Sequence, residues 1–212
     1  MKKTFLLLTM AATLAFTASA QNAPVKFGIK AGVAFPNMVV SAMGASVSLD
    51  SKTSYYVGGT VDIPVSPMFS VQPGLTLSNK GTKVTGAIDI EDGNEMVSGT
   101  LNFTYIEIPV NAVVRFNAGN AGKVFLGFGP YYAIAVDANA KAGGVKEDIE
   151  LGTDFKRGDF GLNFMAGFEL KNGLNFHAGY GLGLSNILGN DASDIVKFKN
   201  RVFTIGLGYT FK

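Results

Sequence analysis

Through most of the chain, apolar residues recur at every second position. This is the period of a β-strand, whose successive side chains point to opposite faces. In residues 25–35 the large positions are Phe27, Ile29, Val33 and Phe35, with Lys26, Gly28, Lys30 and Gly32 between them. Residues 53–65 set Tyr55, Val57, Val61, Ile63 and Val65 against Gly58, Thr60 and Asp62. Residues 69–78 alternate Phe69, Val71, Leu75 and Leu77 with Ser70, Gln72, Gly74 and Thr76. In residues 106–116, Ile106, Ile108, Val110 and Val114 alternate with Glu107, Asn111 and Arg115. Leu101, Phe103 and Tyr105, just upstream, have the opposite parity, which a β-bulge near Tyr105 or an extension beyond the buried zone would reconcile. Four more segments repeat the pattern: residues 124–136, 160–170, 174–184 and 203–211. The alternation therefore predicts eight strands.

The connections alternate too. Short ones fall at residues 66–68, 117–122 and 171–173, the last with an Asn-Gly hairpin signal. Long ones fall at residues 36–52, 79–98, 138–158 and 185–199. Three short turns at one end and four long loops at the other are the plan of an eight-stranded antiparallel up-and-down barrel, with both ends of the ring at the short-turn side.

Composition decides which face is outside. The chain has 212 residues, 47% apolar and only 16% charged, and 27 of them are Gly, about 13% against a usual share of roughly 7%. The polar face is mostly Gly, Ser, Thr and Asn. Such a face is too poor in charge to be a water-facing wall, but it suits the narrow interior of eight strands. The apolar face then belongs in lipid, where only a closed sheet leaves no unpaired edge. Outside the first 20 residues no apolar run is long enough for a membrane helix.

Residues 1–20 read as an export signal. Lys2 and Lys3 form a basic start, residues 5–16 a short apolar core, and Ala18-Ser19-Ala20 a cleavage site, which leaves residues 21–212 as one barrel domain. The formal net charge of +2 equals the contribution of Lys2 and Lys3, so the remaining chain is balanced and offers no basic face for nucleic acid. At the other end, large apolar residues on alternate positions up to Tyr209 and Phe211 resemble the terminal strand that outer-membrane barrels present to the assembly machinery.

Three stretches carry a further resemblance. They are Lys26-Phe27-Gly28-Ile29-Lys30-Ala31-Gly32 with Phe35 and Asn37, Tyr105-Ile106-Glu107-Ile108-Pro109-Val110, and Gly179-Tyr180-Gly181-Leu182-Gly183-Leu184-Ser185-Asn186-Ile187. Together they are similar to the PorT-like outer-membrane β-barrel family. That resemblance implies a transmembrane barrel of the outer membrane with loops outside the cell. The namesake of the family supports protein secretion.

The candidate sites are in the lumen and the loops. Lys30, Asp62, Glu107, Arg115, Glu169 and His177 fall on the inner face with Asn111 and Asn175, where charges must pair or meet water. A network that plugs the barrel is the expectation, with a narrow ion-conducting pore as the alternative. Glu107 and Arg115 lie roughly 25 Å apart along one strand, so each needs a partner from elsewhere. His177 is the only histidine and falls low in its strand, away from the rim where a Ser-His-Asp site would be expected. With no Cys and one His, the usual zinc ligand set is missing. Asp89, Glu91, Asp92 and Glu95 make the second loop acidic without the spacing of an EF-hand. Met38, Val39, Val40 and Met43 make the first loop apolar, suited to covering the rim or to a partner. Tyr55, Tyr105, Tyr132 and Tyr180 are candidates for an interfacial girdle, with Tyr209 on the turn side. The expected protein is therefore a monomeric, cofactor-free, non-enzymatic barrel of the outer membrane. Its partners would be outer-membrane lipids, the barrel-assembly machinery and a protein at the extracellular loops, and a role as an accessory in secretion or surface assembly is the alternative.

Overall fold

The computed structural model describes residues 24–42, 45–90, 93–153, 155–189 and 196–211, with the side chains of residues 85–97 outside that description. The export signal with Ala20, Met43, and the side chains of Asp89, Glu91, Asp92 and Glu95 lie outside the described residues. Ten strands form one antiparallel sheet: β1 (Lys26–Ala42), β2 (Ala45–Ser48), β3 (Ser54–Pro64), β4 (Phe69–Ile90), β5 (Gly93–Asn117), β6 (Gly122–Ala142), β7 (Val145–Asp148), β8 (Gly158–Leu170), β9 (Leu174–Gly183) and β10 (Val196–Thr210). Eight of them close into a ring in the order β1-β3-β4-β5-β6-β8-β9-β10, sealed by β10 against β1 from Gly28↔Thr210 to Ala42↔Val196. The short β2 and β7 extend the sheet from β1 and β6 within the long connections. The up-and-down barrel expected from the alternation is the fold.

The register fixes the geometry of the barrel. From Gly28 the register row runs through Thr60, Gly74, Pro109, Tyr131, Gly161, Gly183 and Asn200 to Met38, ten residues further along β1, with Gly74–Pro109 and Gly183–Asn200 following from the neighbouring pairs Pro73↔Val110 and Arg201↔Leu182. With eight strands about 4.8 Å apart and a rise of about 3.3 Å per residue, that stagger tilts the strands by about 40° and gives a backbone radius of about 8 Å.

Such a barrel has room inside only for a mixture of large and very small side chains. The sheet supplies it by pairing them across rows: Phe125 opposite Gly167, Tyr131 opposite Gly161, Met165 opposite Gly127. A Cβ on Gly167 or Gly161 would fall 2.4 Å or 2.6 Å from the facing ring, so these glycines are the space in which the aromatic rings lie. The outer wall is the opposite. Phe27, Ile29, Val33 and Phe35 on β1, Leu126, Phe128, Tyr132 and Ile134 on β6, and Phe203, Ile205, Leu207 and Tyr209 on β10 are all exposed. A continuous exposed apolar wall around a closed sheet is a lipid-facing surface.

The turns are as short as the sequence implies. At the Asn-Gly hairpin, Gly173 N–H donates to Leu170 O at 3.0 Å and Gly173 sits at φ 95°, a left-handed backbone that glycine adopts without strain. The long connections differ from expectation. Residues 79–98 are not a loop, because the β4–β5 ladder continues to Ile90↔Gly93, well beyond the ring. The first long connection is likewise mostly strand, since β1 runs to Ala42 and folds back as β2.

Of the two expected origins of the parity change at Tyr105, extension of the strand beyond the lipid-facing zone accounts for it. β5 keeps one parity from Phe103 to Val113, so Phe103 and Tyr105 point inward with Glu107 and are fully buried, and Tyr105 does not belong to an outer girdle. A register shift does occur between Thr104 and Tyr105. Its extra residue is Val136 on β6, because Tyr105 faces Ala135 while Thr104 faces Asp137.

Candidate functional site

Among the described residues the lumen holds four side-chain groups stacked along the barrel axis. At the long-loop end an apolar plug is built from Met38 on β1, Phe103 and Tyr105 on β5, Tyr131 on β6 and Ile187 in the β9–β10 connection. Phe155, in the β7–β8 connection, lies edge-on to Phe103 at 5.0 Å and to Phe198 at 6.3 Å. Backbone bonds pin those connections to the ring: Lys156 N–H donates to Ile187 O at 2.8 Å, Ile187 N–H to Phe198 O at 3.0 Å, and Leu49 N–H to Met38 O at 2.8 Å. Asn186 accepts from Phe198 N–H at 2.8 Å and holds the same corner. The first loop's apolar run therefore sends Met38 into the mouth of the barrel.

Beneath the plug, Lys80 is the hub of an ion-pair network. Its Nζ lies 3.0 Å from Glu107 Oε2 and 3.3 Å from Asp159 Oδ2, with Lys80 only 3% exposed and Asp159 not at all. The same ammonium stands 4.3 Å from the centre of the Tyr131 ring and 5.1 Å from that of Tyr105, a cation–π pair on two sides. Asp159 also accepts from Tyr131 OH at 3.2 Å, Asn200 Nδ2 at 3.1 Å and Ser185 Oγ at 2.9 Å. Asn163 Nδ2 donates to Glu107 Oε1 at 3.0 Å. Strands β4, β5, β6, β8 and β10 are thus tied across the lumen by one buried network, in which Asn200 donates through Nδ2 while its Oδ1 has no hydrogen-bond partner among the described residues.

At the short-turn end, Arg115 donates to Asp62 Oδ1 at 2.9 Å and to Ser70 Oγ at 2.6 Å, and Ser70 in turn donates to Asp62 at 2.7 Å. Glu169 lies 3.8 Å from Arg115 Nε. Between the two networks, Tyr56 OH and His177 Nε2 are 2.7 Å apart, and His177 Nδ1 is 3.0 Å from Asn175 Oδ1. A carbonyl oxygen only accepts, so in the neutral ring Nδ1 carries the proton and Nε2 accepts from Tyr56 OH. Gly206 makes room for this pair, since a Cβ there would lie 2.2 Å from Tyr56 Oη.

The six charged or titratable residues expected in one network therefore separate. Asp62, Arg115 and Glu169 come together, Glu107 joins Lys80 and Asp159, His177 pairs with Tyr56, and Lys30 makes no hydrogen bond or ion pair among the described residues. Lys30 is flanked across its row by Gly58 and Gly208 and borders a cavity of about 120 Å³. Thr76 Oγ1, Ser78 Oγ and Asn111 Oδ1 are buried without a partner, and Thr76, Ser78 and Asn111 line the same space. A polar cavity of that size holds a few waters. Lys80 falls within the expected connection 79–98 and Asp159 between the connection ending at 158 and the segment starting at 160, so neither is among the expected lumen charges. Extending the inward series Thr76–Ser78 by one pleat reaches Lys80, and extending Gly161 back by one reaches Asp159. Above the ring, Lys52 donates to Asn79 at 3.0 Å and also to Asn102. Burial, and Lys141 beside it, hold its ammonium below the ordinary value.

Residues 19–189 match a family model described as outer membrane protein beta-barrel domain. No curated protein matches the chain. Among solved structures, the chain is similar to Neisserial surface protein A at 14% identity, with 89% of this chain and 100% of that one covered and a TM-score of 0.48. OprG of Pseudomonas aeruginosa is 15% identical over 88% of this chain and 95% of its own, with a TM-score of 0.46. Ail, the attachment invasion locus protein of Yersinia pestis, is 15% identical over 89% of this chain and all of its own, with a TM-score of 0.43.

Proposed function

The chain belongs to the outer membrane protein beta-barrel domain family, and on that premise we propose that it is a closed, non-enzymatic barrel whose work is done by its extracellular layer, as a rigid platform for a protein partner at the cell surface. Short turns then face the periplasm and long connections the outside. The observation that carries this reading is the plug. Met38, Phe155 and Ile187 reach into the barrel mouth from three of the long connections or strand extensions, so the bases of these segments are fixed to the ring. From this base the β4–β5 ribbon projects, paired as far as Ile90↔Gly93. A narrow pore would need a continuous bore, which the plug and the Lys80 network interrupt.

A narrower form of the proposal follows from the PorT-like stretches: the partner belongs to a secretion or surface-assembly complex. The outward Tyr209 and Phe211, whose rings lie 5.2 Å apart, are proposed as the feature read by the assembly machinery, and the barrel as a monomer held in outer-membrane lipid. Photo-crosslinkers at Lys83 and Val84 on the ribbon, introduced in intact cells, test the platform. They are expected to capture a discrete protein that crosslinkers at lipid-facing Leu75 and Ile205 do not. Identical capture from both sets, or none from the ribbon, would refute it.

A further inference from the structure

We propose that Lys197, Lys199 and Arg201, on the outer wall of β10, form a docking stripe for the phosphate groups of an anionic glycolipid of the outer leaflet. The proposal rests on the membrane reading above and adds a ligand to it. Parity sets the direction of the three side chains. Asn200 is 1% exposed and bonded to Asp159 inside the barrel, Phe198 packs on the plug, and Val202 is buried. The odd-numbered residues therefore face outward, in line with Phe203, Ile205 and Leu207 of the lipid-facing wall. Phe203 is the last apolar residue of that column and stacks on Phe35 of β1 at 6.4 Å. Arg201, Lys199 and Lys197 follow it toward the outside, about 6.6 Å apart along the strand.

Nothing next to the stripe on β1 neutralises it. Across the β1–β10 seam the three cations face Asn37, Val39 and Ser41, and on the β9 side Arg201 faces Leu182. Among the described residues none of the three makes an ion pair or a hydrogen bond. With strands tilted by about 40°, the stripe starts in the head-group layer at Arg201 and climbs through roughly the first 15 Å above the apolar wall. A row of cations continuous with a lipid-facing surface and without a counter-charge among the described residues is complementary to lipid phosphates. The Arg201 guanidinium adds a planar fork that matches two phosphate oxygens. The occupant that fits both the apolar wall and the cations is one molecule with acyl chains below and phosphate above.

The test uses the full chain folded into phosphatidylcholine vesicles doped with lipid A, with the lipid A that co-purifies in mild detergent counted by mass spectrometry. Wild type is expected to retain at least tenfold more than the K197Q/K199Q/R201Q variant, with K197Q/K199Q between them. Dephosphorylated lipid A is expected to be held by wild type no better than intact lipid A is held by the triple variant. K146Q, which removes an exposed cation paired with Asp148 on β7, is expected to leave retention unchanged. Each variant is first shown to insert by its heat-dependent gel migration. Equal retention by wild type and the triple variant, or of phosphorylated and dephosphorylated lipid, would overturn the stripe. Displacement of lipid A by millimolar inorganic phosphate would also overturn it, marking a free-anion site. Failure of the wild-type chain itself to insert would overturn the membrane reading and the stripe together.

Discussion

Replacing Lys80 with Met removes the one cation that stands between Glu107 and Asp159. The perturbation leaves two buried carboxylates facing each other beneath the plug, since Lys80 is 3.0 Å from one and 3.3 Å from the other. Removing one partner of a buried ion pair typically costs about 3–5 kcal/mol. Asp159 keeps three neutral donors, Tyr131, Asn200 and Ser185, which places the expected loss toward the lower figure. With a urea dependence of about 2 kcal/mol per molar, a loss of about 3 kcal/mol lowers the unfolding midpoint by about 1.5 M. The assay is urea unfolding of the vesicle-inserted barrel, followed by gel migration without heating and by far-ultraviolet circular dichroism. Adding Asp159→Asn to Lys80→Met should recover part of the loss, with a coupling above about 1 kcal/mol in the double-mutant cycle. Lys30→Met, which removes a cation with no pair among the described residues, should shift the midpoint far less. A Lys80→Met midpoint within about 0.3 M of wild type would refute the view that this network ties the strands together.

Arg115→Met should lower stability by about 2 kcal/mol in the same assay, less than Lys80→Met because the short-turn cluster is more open to solvent, and Arg115→Lys should recover only part through loss of the forked contact with Asp62 and Ser70. Gly206→Val should displace Tyr56 from His177, costing about 1–3 kcal/mol by overpacking and shifting the imidazole resonances in NMR spectra of the folded barrel. Phe103→Ala should cost about 3–5 kcal/mol by leaving a cavity in the plug, measured by the same urea midpoint.

Much of the barrel is visible in its alternation because lipid and lumen impose opposite demands on adjacent residues. Phe27, Ile29 and Val33 could not trade places with Gly28, Lys30 and Gly32 without reversing every contact. Alternation loses its meaning above the membrane, where neither face meets lipid. There the ladder of β4 and β5 continues in polar residues whose pattern is that of a loop, and Lys80 lies at its start. Tyr105 departs from the expected girdle for a related reason. An apolar residue is outward where lipid surrounds the barrel, but inward where loops fold over its mouth, and pattern alone does not mark the crossover. The Gly content had a more specific cause than narrowness, since Gly161, Gly167 and Gly206 face Tyr131, Phe125 and the Tyr56–His177 pair. Which charges meet depends on cross-strand rows and tilt. The ten-residue stagger is set by all eight pairings together, so the partners of Arg115 and Glu107 could not be read from either strand.

The most direct test of a closed barrel that acts through its outer layer is single-channel recording of the full chain in a planar lipid bilayer. The plug and the Lys80 network predict no discrete conductance steps for wild type, and steps only when Phe103→Ala and Tyr105→Ala in the plug are combined with Lys80→Ala in the network. Reproducible unitary openings of the wild-type protein would contradict the account.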